Sequence, residues 1–339
     1  MKFWGFAFFL VAFSVSLVLS IPAAAQQSPA QSSSPPASPP ASSSAAAGDD
    51  PAAKPDEPAI HEEASLDLTP DAAGKLSQPQ MQQLFRIVAD KDMENDKRQR
   101  DYTYIEHDVE KNLNGKGETK STDIKTYDVL EIDGEQIQRL IAKDDKPLDA
   151  KDAAKEDEKI QKVIDKRKNE SEDERKKRLE KEEKDREDGR KFVTEIADAY
   201  NFTLVGSEAV GGRDAWVIDA EPRPGFQPHM KDAKFLPKFH GRVWIDKGDL
   251  QLSKLDVECL DTISWGLFLA RFHKGSRFMM EQTRVNDEVW LPEHITFKLD
   301  ARLVLLKGYN IDGDLSYRDY KKFRTSSRIV GMSEISEQK

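Results

Sequence analysis

The sequence predicts an α+β fold: a curved antiparallel sheet with an N-terminal helix and a charged helical insertion. Two observations carry this prediction. From residue 102 onward, apolar residues alternate with polar ones and short turns separate the segments, which is typical of antiparallel strands. Helical patterns occupy residues 77–100 and 143–191, and the last helical turns extend over 192–200. A sheet of about nine to eleven strands is expected to curl or close.

Residues 1–25 are expected to be a secretory signal peptide. Lys2 precedes an apolar run at 3–19, and small residues lead to a cleavage site near Ala25. A membrane anchor is the alternative, because the run approaches the shortest length that spans a bilayer. Cleavage would leave the protein periplasmic or secreted.

Residues 26–77 are rich in Ala, Ser and Pro and are expected to form a disordered linker. The folded domain is expected at 78–325, with a tail at 326–339. Cys259 is the single cysteine, so no internal disulfide is possible, and its strand pattern predicts a small buried apolar residue. A net charge of −10 argues against nucleic-acid binding.

The segment 77–100 predicts an amphipathic helix. Ser77 is a suitable N-cap and Pro79 suits the first turn. The apolar residues recur at spacings of three and four: Met81, Leu84, Phe85 and Val88.

Strands are predicted on both sides of the turn signals Asn114-Gly115 and Asp133-Gly134. The charged insertion at 143–191 then predicts one or two helices, with a break near residues 169–171. It is either a coiled coil that contacts a partner or a charged excursion between two strands. The absence of a sustained heptad pattern favours the excursion.

The stretch 241–258, GRVWIDKGDLQLSKLDVE, predicts a hairpin with a Lys-Gly-Asp turn. Val243 and Ile245 share one face of the first strand. On the returning strand the apolar parity changes at Ser253-Lys254, before Leu255 and Val257. A β-bulge there would place both sets on one face and bend the strand.

Later residues continue this meander. The segment 293–305 alternates, with Ile295, Phe297, Leu299, Ala301, Leu303 and Leu305 on one face. Turns are predicted at 274–276, 286–287, 307–308 and 312–313. The segment 310–319 has some likeness to a calcium loop, but its glycine comes too early and the twelfth-position glutamate is missing, so we interpret it as a turn.

Motifs for catalysis and metal binding are missing from the sequence. The six histidines are scattered, and there is no C-x-x-C, H-E-x-x-H, P-loop or G-x-S-x-G pattern. We therefore expect no metal, no cofactor and no enzymatic activity. A hydrolase site assembled from distant residues is the alternative.

Three stretches resemble the LolA/LolB-like superfamily of periplasmic lipoprotein carriers. The hairpin at 241–258 is similar to that family's Val-Trp-Ile-Asp strand and returning strand. NDEVWLPEHITFKL at 286–299 is similar to its Trp-x-Pro strand, and DGDLSYRDYKKF at 312–323 to its closing strand. The resemblance covers about residues 80–325.

This resemblance implies an incomplete β-barrel with a helical lid and an apolar concave side that holds a lipid or an acylated lipoprotein. The alternative is a cell-envelope scaffold with a filled barrel, whose insertion contacts a protein partner. The expected groove residues are Val243, Ile245, Leu255, Val257, Phe268, Phe272, Phe278, Phe297, Leu299 and Leu303.

Overall fold

The computed structural model describes residues 69–72, 76–132, 135–265, 270–303 and 308–323. The predicted signal peptide, almost all of the predicted linker and the predicted tail lie outside these ranges. So does Phe268, one of the expected groove residues.

Three α-helices are present in the described chain: α1 (Gln78–Gln99), α2 (Ala150–Lys168) and α3 (Glu172–Ala199). Ser77 caps α1 in a capping box with Gln80, as the sequence predicts. The insertion forms α2 and α3, and Ser171 caps the second of them. Two short 3₁₀ helices, Lys231–Ala233 and Leu236–Lys238, occupy the proline-rich loop.

The strands form one antiparallel sheet. In chain order they are β1 (Tyr102–Leu113), β2 (Thr119–Ile132), β3 (Glu135–Lys143), β4 (Lys146–Pro147), β5 (Tyr200–Val210), β6 (Arg213–Pro222), β7 (Phe239–Asp246), β8 (Leu252–Cys259), β9 (Ile263–Trp265), β10 (Ala270–Phe272), β11 (Arg277–Val285), β12 (Val289–Leu303) and β13 (Gly308–Lys322).

Eleven of these strands follow the order β4-β3-β2-β1-β13-β12-β11-β8-β7-β6-β5, and β10 adds β9 beside β12. Within the described residues the two end strands, β4 and β5, do not pair with each other, so the sheet stays open. The fold is therefore α+β with an incomplete barrel, as predicted, although its strands exceed the expected number.

The bend predicted in the hairpin is present. Trp244 pairs with Lys254, whereas Ile245 pairs with Leu252, which leaves Ser253 as the extra residue of a bulge. The Ser253 hydroxyl donates a hydrogen bond of 3.1 Å to the Trp244 carbonyl. The bulge keeps the apolar residues on both sides of it on one face of β8.

The turn predicted at Asp312-Gly313 is wrong, because both residues lie inside β13. Gly313 faces Phe297 across β12 and β13. A Cβ at position 313 would overlap the ring of Phe297, so the glycine makes room for that ring. This tertiary contact overrides the local turn signal.

Helix α1 covers one face of the sheet, which we call the inner face. Met81 and Leu84 are fully buried in the main core, and Phe85 stacks on Phe202 of β5 with ring centroids 4.0 Å apart. The Gln78 side chain donates to the Phe202 carbonyl at 2.8 Å. Near its other end, Asn95 bonds the backbone of Trp290 in β12.

The insertion packs against the domain in two places. Ile160 and Ile164 of α2 bury against Ile132, on the face of β2 opposite to α1. Helix α3 lies beside α1, and its Phe192 enters the main core. Helix α3 therefore joins α1 as part of the lid over the inner face.

Candidate binding groove on the inner face

The inner face is built from cross-strand neighbours in rows that run at right angles to the strands. One row joins strands β8, β11, β12, β13 and β1 through the pairs Leu255–Met280, Met280–Ile295, Ile295–Leu315 and Leu315–Asp108. The adjacent row consists of Val257, Phe278, Phe297, Gly313 and Glu110. Both rows change from apolar to acidic where they reach β1.

Part of this face is filled by protein. Ile245 is fully buried in the main core with α1, and Val243, Leu255 and Phe278 retain only 7–8% exposure. These four expected groove residues are therefore core residues.

Another part of the face stays partly open. Its partly buried apolar side chains form what we call the apolar strip: Val257, Phe272, Met280, Phe297 and Leu299. Four of these five were expected from the sequence, and Met280 was not among the expected groove residues. Leu303 ends β12, and the structure does not describe its side chain.

Three carboxylates on β1 form what we call the acidic row: Glu106, Asp108 and Glu110. Glu106 is 1% exposed and Asp108 is 7% exposed, whereas Glu110 is half-buried. Gln138 of β3 donates a hydrogen bond of 2.5 Å to Glu106 Oε1. The acidic row thus extends from a deep position to a more open one.

Several polar atoms of this region are buried without a hydrogen-bond partner. They are Glu106 Oε2, Asp108 Oδ1 and the hydroxyl of Tyr317, which stands opposite Glu106 in β13. A buried polar group left unpaired typically costs about 1–3 kcal/mol. The acidic row therefore destabilises the folded state unless its oxygens are protonated or hydrogen-bonded by a ligand.

Desolvation raises the pKa of Glu106 well above its ordinary value, and the neighbouring Asp108 carboxylate raises it further. Burial also raises the pKa of Asp108, with a contribution from Glu110. Glu106 and Asp108 are close enough for one carboxyl to hydrogen-bond the other. The pair is therefore arranged to hold a proton near neutral pH.

The acidic row was missed by sequence reasoning, although a signal for it existed. Glu106 and Asp108 share the strand parity of Tyr102 and Tyr104, which are buried. A carboxylate at an alternating buried position is unusual. That parity places the carboxylates on the inner face.

A separate cleft of about 410 Å³ lies on the opposite face of the same strands. Its lining mixes cations and anions, including Lys111, Arg277, Lys298, Asp312 and Asp314. Apolar side chains, Val109 and Met279 among them, also line this cleft, but most of its charges are exposed. We therefore place the candidate site on the inner face.

The described residues contain no group of three or more His, Cys, Asp or Glu side chains that could hold a metal ion. Cys259 is buried, and its Sγ lies 2.9 Å from the Asp261 carbonyl oxygen. Burial raises the pKa of its thiol. No helix in the part of the chain that the structure describes is long and apolar enough to cross a membrane.

No family model and no curated protein matches this chain. Solved structures do show similarity. A putative outer membrane lipoprotein-sorting protein domain from Vibrio parahaemolyticus is 12% identical, covering 75% of this chain and 96% of its own, with a TM-score of 0.32. A DUF1329 family protein from Desulfovibrio piger is 10% identical, covering 73% and 94%, with a TM-score of 0.27. A LolA superfamily protein from Nitrosomonas europaea is 10% identical, covering 74% and 98%, with a TM-score of 0.24.

Proposed function

We propose that this protein is a noncatalytic binding protein of the periplasm or the cell exterior, and that it holds an apolar chain of a lipid or lipidated partner on the apolar strip. The observation that carries the proposal is the partial exposure of the strip. Its five side chains share a face with the buried core, yet they stay partly exposed, whereas Ile245 is fully buried.

Binding on this strip needs only burial of apolar surface. Each Å² of apolar area removed from water contributes about 25 cal/mol. No bond has to form or break, so release requires only that another apolar environment take up the chain. A carrier or a holding protein uses this kind of reversible site.

The test compares two charge insertions in neighbouring positions. Met280→Lys places an ammonium on the strip, whereas Met279→Lys places one on the opposite face of the same strand. Binding of an uncharged apolar dye such as Nile red, measured by fluorescence, should weaken at least about tenfold in the first variant, since the ammonium would be desolvated by the bound dye.

Met279→Lys serves as the matched control and should bind the dye like the wild type. Native mass spectrometry of protein purified from its host envelope should also detect a bound lipid. Equal dye binding by both variants, or a wild type that binds neither dye nor lipid, would contradict the proposed function.

A second candidate function is that of an envelope scaffold. It is favoured by Leu179, which is 46% exposed on α3 among charged residues that form ion pairs along the helix. A protein partner would bury this side chain. Leu179→Glu should then abolish a specific cross-link between α3 and one envelope protein while dye binding stays unchanged. A cross-link that persists in the variant would argue against this second candidate.

A further inference from the structure

We infer that the acidic row receives the positively charged head of the bound amphiphile, a primary ammonium group, while the apolar chain lies along the apolar strip. This inference rests on the proposed function, and it names the chemical class of the ligand. Glu106, Asp108 and Tyr317 carry it, because each has a buried oxygen without a partner in the described structure.

The first step is the continuity of the two surfaces. Asp108 is the cross-strand neighbour of Leu315, and Leu315 is the neighbour of Ile295, next to Met280 of the strip. This row of neighbours crosses four adjacent strands, β11, β12, β13 and β1. At the usual strand spacing the crossing spans about 14 Å. Ile295 and Leu315 are only 8% and 3% exposed, so the open path is the adjacent row, from Phe297 past Gly313 to the half-buried Glu110. An extended chain on that row would place its head at Glu110, the open end of the acidic row and two residues from Asp108.

The second step is the hydrogen-bonding chemistry. The unpartnered carboxylate oxygens are acceptors, and the hydroxyl of Tyr317 both donates and accepts. A primary ammonium brings three donors and one positive charge to this place. It would replace the proton that Glu106 and Asp108 share and satisfy both carboxylates together, which a neutral hydroxyl head could not do.

The third step concerns the other charges that face the row. Lys125 stands opposite Asp108 on β2, and its charge partly offsets the burial that raises the pKa of Asp108 and of Glu110, but this one ammonium faces three carboxylates. Glu156 of α2 adds a further negative charge near Tyr127. The local field therefore favours a cation and repels a phosphate or carboxylate head.

Three amphiphiles with the same chain length, one cationic, one neutral and one anionic, can test this inference separately from the proposed function. Decylammonium, decanol and decanoate are titrated into the full chain by calorimetry at pH 7, below their aggregation limits. We expect decylammonium to bind at least about tenfold more tightly than decanol, and decanoate to bind most weakly.

The variant Glu106→Gln/Asp108→Asn should bind decylammonium and decanol with equal affinity. Its control, Glu258→Gln/Asp314→Asn, removes two carboxylates from the outer face and should keep the preference. This control separates the row from general attraction of a cation to an acidic protein.

The possible outcomes differ in what they overturn. Equal binding of decylammonium and decanol by the wild type overturns the inference and leaves the proposed function standing, as does a preference that survives in the double variant. Failure of the wild type to bind either compound overturns both. The wild-type comparison needs no substitution, so it decides the inference even if a variant fails to fold.

Discussion

The side chain of Asn95 pairs with the backbone of Trp290 as a neighbouring strand would. Its amide nitrogen donates to the Trp290 carbonyl at 2.7 Å, and its amide oxygen accepts from the Trp290 N–H at 2.7 Å. Gln78 forms the same kind of pair with Phe202 at the other end of α1. Helix α1 is thus fastened to β12 and β5, so it acts as a fixed part of the lid.

Replacing Asn95 by alanine should therefore destabilise the protein. The substitution leaves the N–H of Trp290 without its partner near a 1% exposed position, whereas the Trp290 carbonyl still accepts from Gln99 Nε2 at 3.0 Å. We expect the free energy of unfolding to fall by about 1–3 kcal/mol, the usual cost of one abandoned buried group. Urea unfolding followed by circular dichroism measures this change.

The matched control is Asn201→Ala, which removes an exposed side chain on β5. Its effect should stay within about 0.5 kcal/mol. Equal stability of the two variants would show that the pair with Trp290 contributes little.

Glu106 should make stability depend on pH. Unfolded Glu106 ionises near its ordinary pKa of 4.5, whereas desolvation and Asp108 raise the pKa in the folded state. Between the two pKa values the folded protein binds more protons than the unfolded one. The free energy of unfolding therefore falls as pH rises above about 4.5.

Glu106→Gln removes this dependence because a glutamine does not ionise. At pH 8 the variant should be more stable than the wild type by about 1–3 kcal/mol, with little difference at pH 4. Thermal unfolding at both pH values tests this. The exposed control Glu258→Gln should show no such divergence, and a Glu106→Gln variant less stable at pH 8 would refute the assignment.

The alternation of apolar and polar residues was sufficient to predict which side chains of β8 and β12 lie on the inner face. Alternation at 293–303 and the parity change at Ser253 depend only on neighbours in the chain, and both are present in the strands. The order of the strands is a different matter. It brings β1 beside β13, some 200 residues away in the chain, and no local pattern contains that information.

The same limit explains the candidate site. Whether Val257 is covered or open depends on where α1 crosses the sheet, and the turn expected at Gly313 was displaced by the distant ring of Phe297. Glu106 is an intermediate case. The alternation in β1 assigns its side chain to the inner face, but its burial depends on Tyr317 and Gln138, which lie on two other strands. Local periodicity predicts the face of a strand, and tertiary contacts decide what that face meets.

Gly313 should tolerate no larger side chain. Gly313→Ala would force the ring of Phe297 from its place, and such overpacking typically costs about 1–3 kcal/mol. Gly308→Ala, in the same strand, meets only the Ala301 carbonyl at 3.9 Å and is the control.

Phe297→Leu in the Gly313→Ala background should recover part of this loss, because the smaller side chain leaves room for the new methyl group. Denaturant unfolding of the single and double variants gives the coupling energy. Additive effects of the two substitutions would contradict the contact.

The bulge at Ser253 predicts that two single-residue deletions in β8 have different consequences. Deleting Ser253 joins Leu252 to Lys254 and leaves a regular ladder, with Leu252 still opposite Ile245. The apolar side chains keep their face, so we expect a folded protein that loses about 1–2 kcal/mol with the hydroxyl's hydrogen bond and the bend.

Deleting Asp256 instead shifts the parity of every later residue in β8. Val257 and Cys259 would turn from the inner face toward solvent. Exposing a buried apolar side chain typically costs about 1.5–3 kcal/mol. Soluble yield and thermal unfolding should rank the wild type first, the Ser253 deletion second and the Asp256 deletion last. If deleting Ser253 proved the more damaging of the two, the bulge would be fixing the register of the hairpin rather than only bending it.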